Sequence, residues 1–133
     1  MEIGKAIYNI LSGTLAISNK VGTKIFPNVA TQSESFPFII YDVQSDSPED
    51  TKDGVANLDI TNMMVSAYSD TYSNATEIGS SIRDALDRYS GTVNGVVINT
   101  IVFEGYNDAF DDMSGRDGIY RKSLDFKIRI INT

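Results

Sequence analysis

The carboxylates between residues 108 and 117 are the side chains whose type and spacing come closest to a chemical site. Asp108, Asp111, Asp112 and Asp117 could bind calcium or supply an acid and a base. Their spacing differs from an EF-hand loop, which needs oxygen ligands at positions 1, 3, 5 and 12 and a glycine at position 6. Glycosidase carboxylates are held about 5 to 9 Å apart, and neighbouring residues of a loop do not keep that separation. We therefore expect a solvated acidic loop without a bound metal.

The chain contains neither cysteine nor histidine. This composition excludes disulfides, thiol nucleophiles, Cys/His zinc sites and Ser-His-Asp catalysis. Carboxylate, lysine and tyrosine chemistry remain open, but no group of these residues meets the requirements of an active site. The sequence therefore predicts a protein that is not an enzyme and that has no cofactor.

The net charge of −7 lies in two acidic segments. Residues 44–54 carry a net charge of −3 and residues 104–117 carry −4, which together account for the charge of the whole chain. The acids that we single out in these segments are Asp46, Glu49, Asp50, Asp53, Asp108, Asp111 and Asp112. Such a protein would repel a nucleic-acid backbone sooner than bind it.

Length and composition predict one globular domain spanning residues 1–133. The hydrophobic fraction of 41% and the charged fraction of 22% are ordinary values for a folded domain of this size. No apolar run approaches the ~20 residues that cross a bilayer, and the N-terminal residues lack the pattern of a signal peptide. We expect a soluble protein that has no membrane partner.

Two segments have the apolar periodicity of amphipathic helices. Ile3, Ala6, Ile7, Ile10 and Leu11 form one stripe, which Ser12-Gly13 ends. The second helix begins at Asp70-Thr71, and its stripe is formed by Ala75, Ile78, Ile82, Ala85, Leu86 and Tyr89. Both stripes are expected to face the core.

Four segments have the composition of long strands, namely residues 36–43, 56–68, 96–103 and 119–131. Asn94-Gly95 predicts a tight hairpin before the third of them. The acidic segments are expected to be long loops between strands. The element order predicts an α+β fold, with a largely antiparallel sheet and two helices packed on one face.

Two groups of residues are candidates for protein–protein contact. Arg121, Lys127 and Arg129 alternate with the apolar residues of the last strand, so they are expected on a solvated or intersubunit face. Tyr72, Tyr106 and Phe110 lie in or beside loops, where exposed aromatic side chains often mark an interface.

The linear order of several motifs resembles that of the tail-terminator, or tail-completion, proteins of long-tailed bacteriophages. The resemblance runs from about Ile3 to Ile130. It rests on VGTKIFP at 21–27, FPFIIY at 36–41, YSDTY at 68–72, IRDALDRY at 82–89 and GIYRKSLDF at 118–126.

The resemblance implies a structural protein of the virion tail or neck, assembled in the host cytoplasm. It implies a homo-oligomeric ring, a hexamer, that caps the head-proximal end of the tail tube and stops tube growth. The implied partners are the tail-tube protein and a neck or head-completion protein, and DNA would pass through the lumen without specific binding. The resemblance supplies no catalytic residue.

Two other functions stay open at this point. A neck or head–tail connector adaptor would bind the portal or its stacked connector, whereas a terminator would bind tail-tube protein. A small monomeric domain that binds a peptide or another ligand would have a concave apolar pocket. In the leading interpretation the acidic segments face the tube, the neck or the lumen, and the basic strand face contacts an acidic segment of the next subunit.

Overall fold

A computed structural model describes residues 3–28, 36–48, 58–111 and 119–131. It contains three helices and six strands in these ranges. In chain order they are α1 (Ile3–Ser12), α2 (Leu15–Val21), β1 (Ile25–Pro27), β2 (Phe38–Pro48), β3 (Leu58–Ser69), α3 (Tyr72–Leu86), β4 (Gly91–Val93), β5 (Val96–Asp111) and β6 (Ile119–Ile131). The α+β class is confirmed.

The six strands form one sheet in the order β1-β2-β3-β6-β5-β4. Every neighbouring pair is antiparallel except β1 and β2, which run parallel over three residues. The last strand of the chain therefore lies in the middle of the sheet, between β3 and β5. This position explains its apolar alternation, because Leu124, Phe126 and Ile128 face the core from the centre of the sheet.

The helices supply the other half of the core. Ile3, Ala6, Ile7 and Leu11 of α1 and Ala75, Ile78, Ile82 and Leu86 of α3 are buried, as their periodicity predicts. The helix α3 packs on β3, β6 and β5, while α1 contacts β1. The predicted arrangement, with an apolar helical stripe against one face of the sheet, is thus present.

The short helix α2 is an element that the sequence did not predict. Its buried residues are Ile17 and Val21, one turn apart, which is too short a stripe to stand out as a periodic pattern. It packs beside α3, where Lys20 Nζ lies 2.7 Å from Glu77 Oε2. The helical layer therefore contains three helices in the described residues, whereas the sequence predicted two.

The strands β2 and β5 continue into the acidic segments, so the prediction that these segments are loops throughout is wrong. Asp46 lies on β2, and Asp108 and Asp111 lie on β5. A hydrogen bond between polar side chains of neighbouring strands supports the extended part of β2, since Asn62 Nδ2 donates to Ser45 Oγ at 2.9 Å. The extension of β2 is polar on both sides. The extension of β5 carries Tyr106 and Phe110 among polar residues, without the regular apolar alternation that identifies a half-buried strand. Glu49, Asp50, Asp53 and Asp112 lie outside the described residues.

The strand ends that lead into the two acidic connections lie at opposite ends of the sheet. Leu58, where β3 begins after the first connection, is paired with Ile131 at the end of β6. Tyr120, close to the second connection, is paired with Ser69 at the far end of β3. At about 3.3 Å per residue, the length of this strand pair separates these strand ends by roughly 35 to 40 Å.

Candidate interaction surface

The start of α3 is fixed by side-chain hydrogen bonds. Thr71 Oγ1 accepts from Asn74 N at 3.2 Å, which caps the first turn of the helix. Ser69 Oγ accepts from Thr71 N, also at 3.2 Å. The first helical residue, Tyr72, is held in this way at the end of the sheet where β3 stops, with its side chain half exposed.

The hairpin of β5 and β6 brings a second set of aromatic side chains to the same place. Phe110 is paired with Tyr120, and Asp108 is paired with Lys122. The ring centroids of Phe110 and Tyr120 lie 4.7 Å apart. The ring of Tyr72 approaches Tyr120 edge-on, with a centroid distance of 5.9 Å. Tyr120 thus joins the helix start to the hairpin.

We call the depression between these elements the aromatic groove. Its volume is about 200 Å³, and its lining is mostly apolar. The lining includes Tyr72, Ala75 and Thr76 from α3, and Ala109, Phe110 and Tyr120 from the hairpin. The small side chains of Ala75 and Ala109 leave room between the larger rings.

Lys122 closes one end of the aromatic groove. Its Nζ lies 3.3 Å from Asp108 Oδ1 and 4.4 Å from the centroid of the Tyr106 ring. Only 13% of the Lys122 side chain is exposed, because its aliphatic part lies over Gly79 of α3. The ammonium group is therefore held between a carboxylate and an aromatic face.

The three aromatic residues predicted as interface residues lie together at this site. Tyr72, Tyr106 and Phe110 are 54%, 58% and 51% exposed, which is unusual for side chains of this size. Exposed aromatic side chains around a shallow groove are typical of a protein–protein contact. The arrangement can bind an apolar side chain, but it does not present a nucleophile or a paired acid and base.

Two of the three predicted basic residues, Lys127 and Arg129, lie on β6 away from the aromatic groove. Their side chains are half-buried, on the strand face that does not carry Leu124 and Phe126. Lys127 Nζ lies 3.9 Å from Glu104 Oε2 of the neighbouring strand. Arg129 has no ion pair within the described residues. Arg121 also borders the aromatic groove, and its Nε is buried without a hydrogen-bond partner there.

Within the described ranges, no group of three or more acidic, histidine or cysteine side chains could hold a metal ion. In the same part of the chain, no helix is both long enough and apolar enough to cross a membrane. The described acids of the two acidic segments instead lie on separate strands, with Asp46 on β2 and Asp108 on β5.

Sequence reasoning missed Tyr120, Lys122 and Gly79 as parts of this surface. Tyr120 alternates with Arg121 on the last strand, a pattern that predicts a core position, and the sequence pattern indicates no role for Lys122. The pairing of Lys122 with Asp108 depends on the register of β5 and β6. A bulge between Phe103 and Gly105 shifts that register, and the glycine at 105, inside a strand pattern, is the sequence signal that could have indicated it.

Known proteins share both the fold and the sequence pattern of this chain. A chain in the virion of a native gene transfer agent particle has the same fold, with a TM-score of 0.76 and 16% identity over 96% of this chain and 93% of that one. The gp17 protein of bacteriophage SPP1 gives a TM-score of 0.52 and 18% identity, over 99% and 89% of the two chains. No curated protein matches the sequence. The family model of tail completion protein gp17 matches residues 5–131. The chain therefore belongs to the tail completion protein gp17 family, whose members are structural, non-enzymatic proteins of the phage virion tail.

Proposed function

We propose that the protein caps the head-proximal end of the tail tube as one subunit of a ring, ends tube elongation and provides the docking surface for the neck. The proposal rests on membership of the tail completion family over residues 5–131. The copy number of six comes from the resemblance of the sequence motifs to tail-terminator proteins. The partners would be the tail-tube protein on one side and a neck or head-completion protein on the other.

The observation that best supports this role is the position of the strand ends that lead into the two acidic connections. A protein that stands between two partners needs a contact surface at each of two ends, and loops at the ends of strands commonly provide such surfaces. The end of β2 and the end of β5, which lead into the two acidic connections, lie at opposite ends of the sheet. In the proposed ring, one connection meets the tube and the other meets the neck.

The charge of the chain suits a ring through which DNA passes. A net charge of −7 per subunit is multiplied by the number of copies, and both acidic segments contribute to it. An acidic lumen repels the phosphate backbone and keeps DNA from adhering during its passage. No specific binding of DNA is required.

A further part of this proposal concerns the basic face of β6, which carries Arg121, Lys127 and Arg129. Lys127 already has Glu104 as a partner within its own subunit, whereas Arg129 has no ion pair among the described residues. Arg129 is therefore available to pair with an acidic segment of the next subunit, and so is Arg121, which also has no ion pair among the described residues.

The dimensions of the aromatic groove do not favour a small monomeric binding domain, whereas a second depression of about 430 Å³ beside Ile3, Tyr41 and Val43 is within the usual size of ligand pockets. Ligand pockets usually have volumes of about 300 to 1,000 Å³ and enclose most of the ligand. The aromatic groove is smaller, at about 200 Å³, and its rings are half exposed. A contact that accepts one side chain of a protein partner fits these dimensions better.

Removal of the protein from its phage tests the role directly. Without it, we expect electron micrographs to show tails of irregular, excessive length that are not joined to heads, and a plasmid copy of the wild-type gene should restore both. Tails of normal length without heads would indicate a neck adaptor instead. Normal tails on normal heads would contradict both functions.

Charge neutralisation of each hairpin tests the assignment of its partners. One variant carries Glu49→Gln, Asp50→Asn and Asp53→Asn, and the other carries Asp111→Asn and Asp112→Asn. We expect one variant to lose control of tail length and the other to lose head joining. If neither activity changes, or if both variants lose the same one, the assignment of one hairpin to each partner is wrong.

A further inference from the structure

We propose that Leu15 of one copy inserts into the aromatic groove of the next copy and forms the lateral contact of the ring. This inference rests on the proposed ring, and it names the surfaces that hold neighbouring subunits together. Two observations support the inference. An exposed apolar side chain lies on one flank of the helical layer, and a groove of suitable size lies on the other.

Leu15 is the most exposed large hydrophobic side chain in the described part of the protein, at 74%. It lies at the corner between α1 and α2, where the backbone is well held. Thr14 Oγ1 donates to Ile10 O at 2.8 Å, and Gly13 N donates to Asn9 O at 3.0 Å. The corner therefore presents an apolar side chain from a fixed backbone, so little conformational entropy is lost when it binds.

The aromatic groove has the size and chemistry to receive such a side chain. The groove has a volume of about 200 Å³ and lies between the half-exposed rings of Tyr72 and Phe110. The small side chains of Ala75 and Ala109, which also line the groove, leave room for the Leu15 side chain.

The two surfaces lie on different flanks of α3. On one flank, Glu77 forms its ion pair with Lys20 of α2, the helix that begins with Leu15. On the other flank, Gly79 and Thr76 face the hairpin of β5 and β6. A contact between two different surfaces is heterologous, and its repetition forms a closed ring when the rotation between copies closes.

Pairing of open strand edges is the competing way to join copies. Within the described residues, β1 pairs with β2 only at residues 39–41 of β2, and β4 pairs with β5 only at residues 96–98 of β5. The uncovered parts carry Asp42 and Asp46 on β2, and Asp108 and Asp111 on β5. Two acidic edges would repel one another, and edge charges commonly prevent this kind of pairing.

Charge favours the contact through Leu15 instead. No charged residue lies between Lys5 and Lys20, so the α1–α2 corner is neutral in a chain of net charge −7. At the groove, the Lys122 ammonium is already paired with Asp108. Insertion of Leu15 therefore places no charged side chain of one copy close to a like charge of the next copy.

Thiol crosslinking tests the contact cleanly, because the natural chain has no cysteine. Ala16→Cys marks the corner at an exposed site, and Thr76→Cys marks the groove with a side chain of similar size. With a short bis-maleimide, the double variant should form a ladder of oligomers up to the full ring. A mixture of the two single variants should stop at dimers, and each single variant alone should stay monomeric on a denaturing gel.

Other crosslinking patterns would overturn the inference. Dimers formed by either single variant alone would indicate a symmetric contact. A crosslink from Thr76→Cys to a single-cysteine variant of the tail-tube protein, but not to Ala16→Cys, would assign the groove to that partner. A ring-sized species without any crosslink in the double variant would contradict the contact while leaving the proposed function intact.

Substitution of Leu15 gives a second, independent test. Leu15→Asp should raise the protein concentration needed for ring assembly at least tenfold while leaving the melting temperature of the monomer unchanged. The matched control is Val43→Asp, which adds the same charge at another exposed apolar site, on the open edge of β2. Loss of assembly in Val43→Asp alone would overturn the inference in favour of strand-edge pairing. If wild-type protein forms no ring, alone or with tail-tube protein, then the proposed function fails together with the inference.

Discussion

Lys122 occupies the space that a side chain at Gly79 would need. A Cβ atom added to Gly79 would lie 2.6 Å from Lys122 Cδ and 3.2 Å from Lys122 Cγ. The absence of a side chain on the helix thus lets Lys122 lie flat beneath it and reach Asp108 and Tyr106. This contact couples the position of α3 to the hairpin that forms the other wall of the aromatic groove.

The substitution Gly79→Ala should therefore have an effect that depends on Lys122. In the wild-type background, alanine displaces the lysine and weakens its contacts with Asp108 and Tyr106. In a Lys122→Ala background the clash is absent, and the better helix propensity of alanine should stabilise the protein by up to about 1 kcal/mol. Urea unfolding of the four proteins in this cycle measures the difference. Equal effects of Gly79→Ala in both backgrounds would show that the contact does not couple these residues.

A buried pair of hydroxyl groups joins two central strands. Ser66 Oγ and Ser123 Oγ lie 2.9 Å apart, and both residues are buried. Replacing one serine with alanine leaves the other hydroxyl without this partner, so each single variant should lose ~1 to 3 kcal/mol of unfolding free energy. The double alanine variant should lose less than the sum of the two single losses. Additive losses would mean that the hydrogen bond contributes little.

Folding stability should depend on pH through Asp42. Burial raises the pKa of the Asp42 carboxyl above its ordinary value, since the charged form is desolvated in the folded state. The folded state therefore binds the proton more tightly than the unfolded state, and stability falls as the pH rises from the ordinary carboxyl pKa through the raised one.

We expect Asp42→Asn to raise the melting temperature at pH 7. The gain should shrink as the pH falls through the raised pKa of Asp42 and vanish below the ordinary carboxyl pKa, where both states are protonated. Asp125→Asn is the control, since Asp125 is an exposed acid on the central strand β6, separated from β2 by β3. A gain that is the same at every pH would assign the effect to something other than ionisation.

Reversal of charge at Arg129 tests the intersubunit role of the basic strand face. Because Arg129 has no ion pair within the described residues, Arg129→Glu should change the melting temperature of the monomer only slightly. It should weaken ring assembly if an acidic segment of the next subunit approaches Arg129. Arg88→Glu, at a side chain that is 78% exposed, controls for the change in net charge. Unchanged assembly of Arg129→Glu would remove this residue from the interface.

The sequence predicted the parts of the structure that depend on local pattern. The alternation of Leu124, Phe126 and Ile128 identified the central strand, and the periodicity of Ile78 and Ile82 identified the long helix. The α+β class, the tail completion family, the absence of enzymatic activity and the place in the virion are all confirmed.

The parts that depend on pairing between distant segments could not be predicted. Asp46 and Asp108 belong to polar strands whose extension is fixed by neighbouring strands, not by apolar alternation. Tyr72 and Phe110 were recognised separately as interface residues. Their meeting around Tyr120 follows from the sheet register and from the cap that positions α3.

The mass of the purified protein in solution tests the central claim most directly. Light scattering should be measured on the protein alone and after addition of purified tail-tube protein, with the tube protein alone as the control. The proposed role predicts a ring-sized species in one or both samples that contain the protein. A persistent monomer in both samples, without any complex with tube protein, would contradict the claim that this chain caps the tail as a ring.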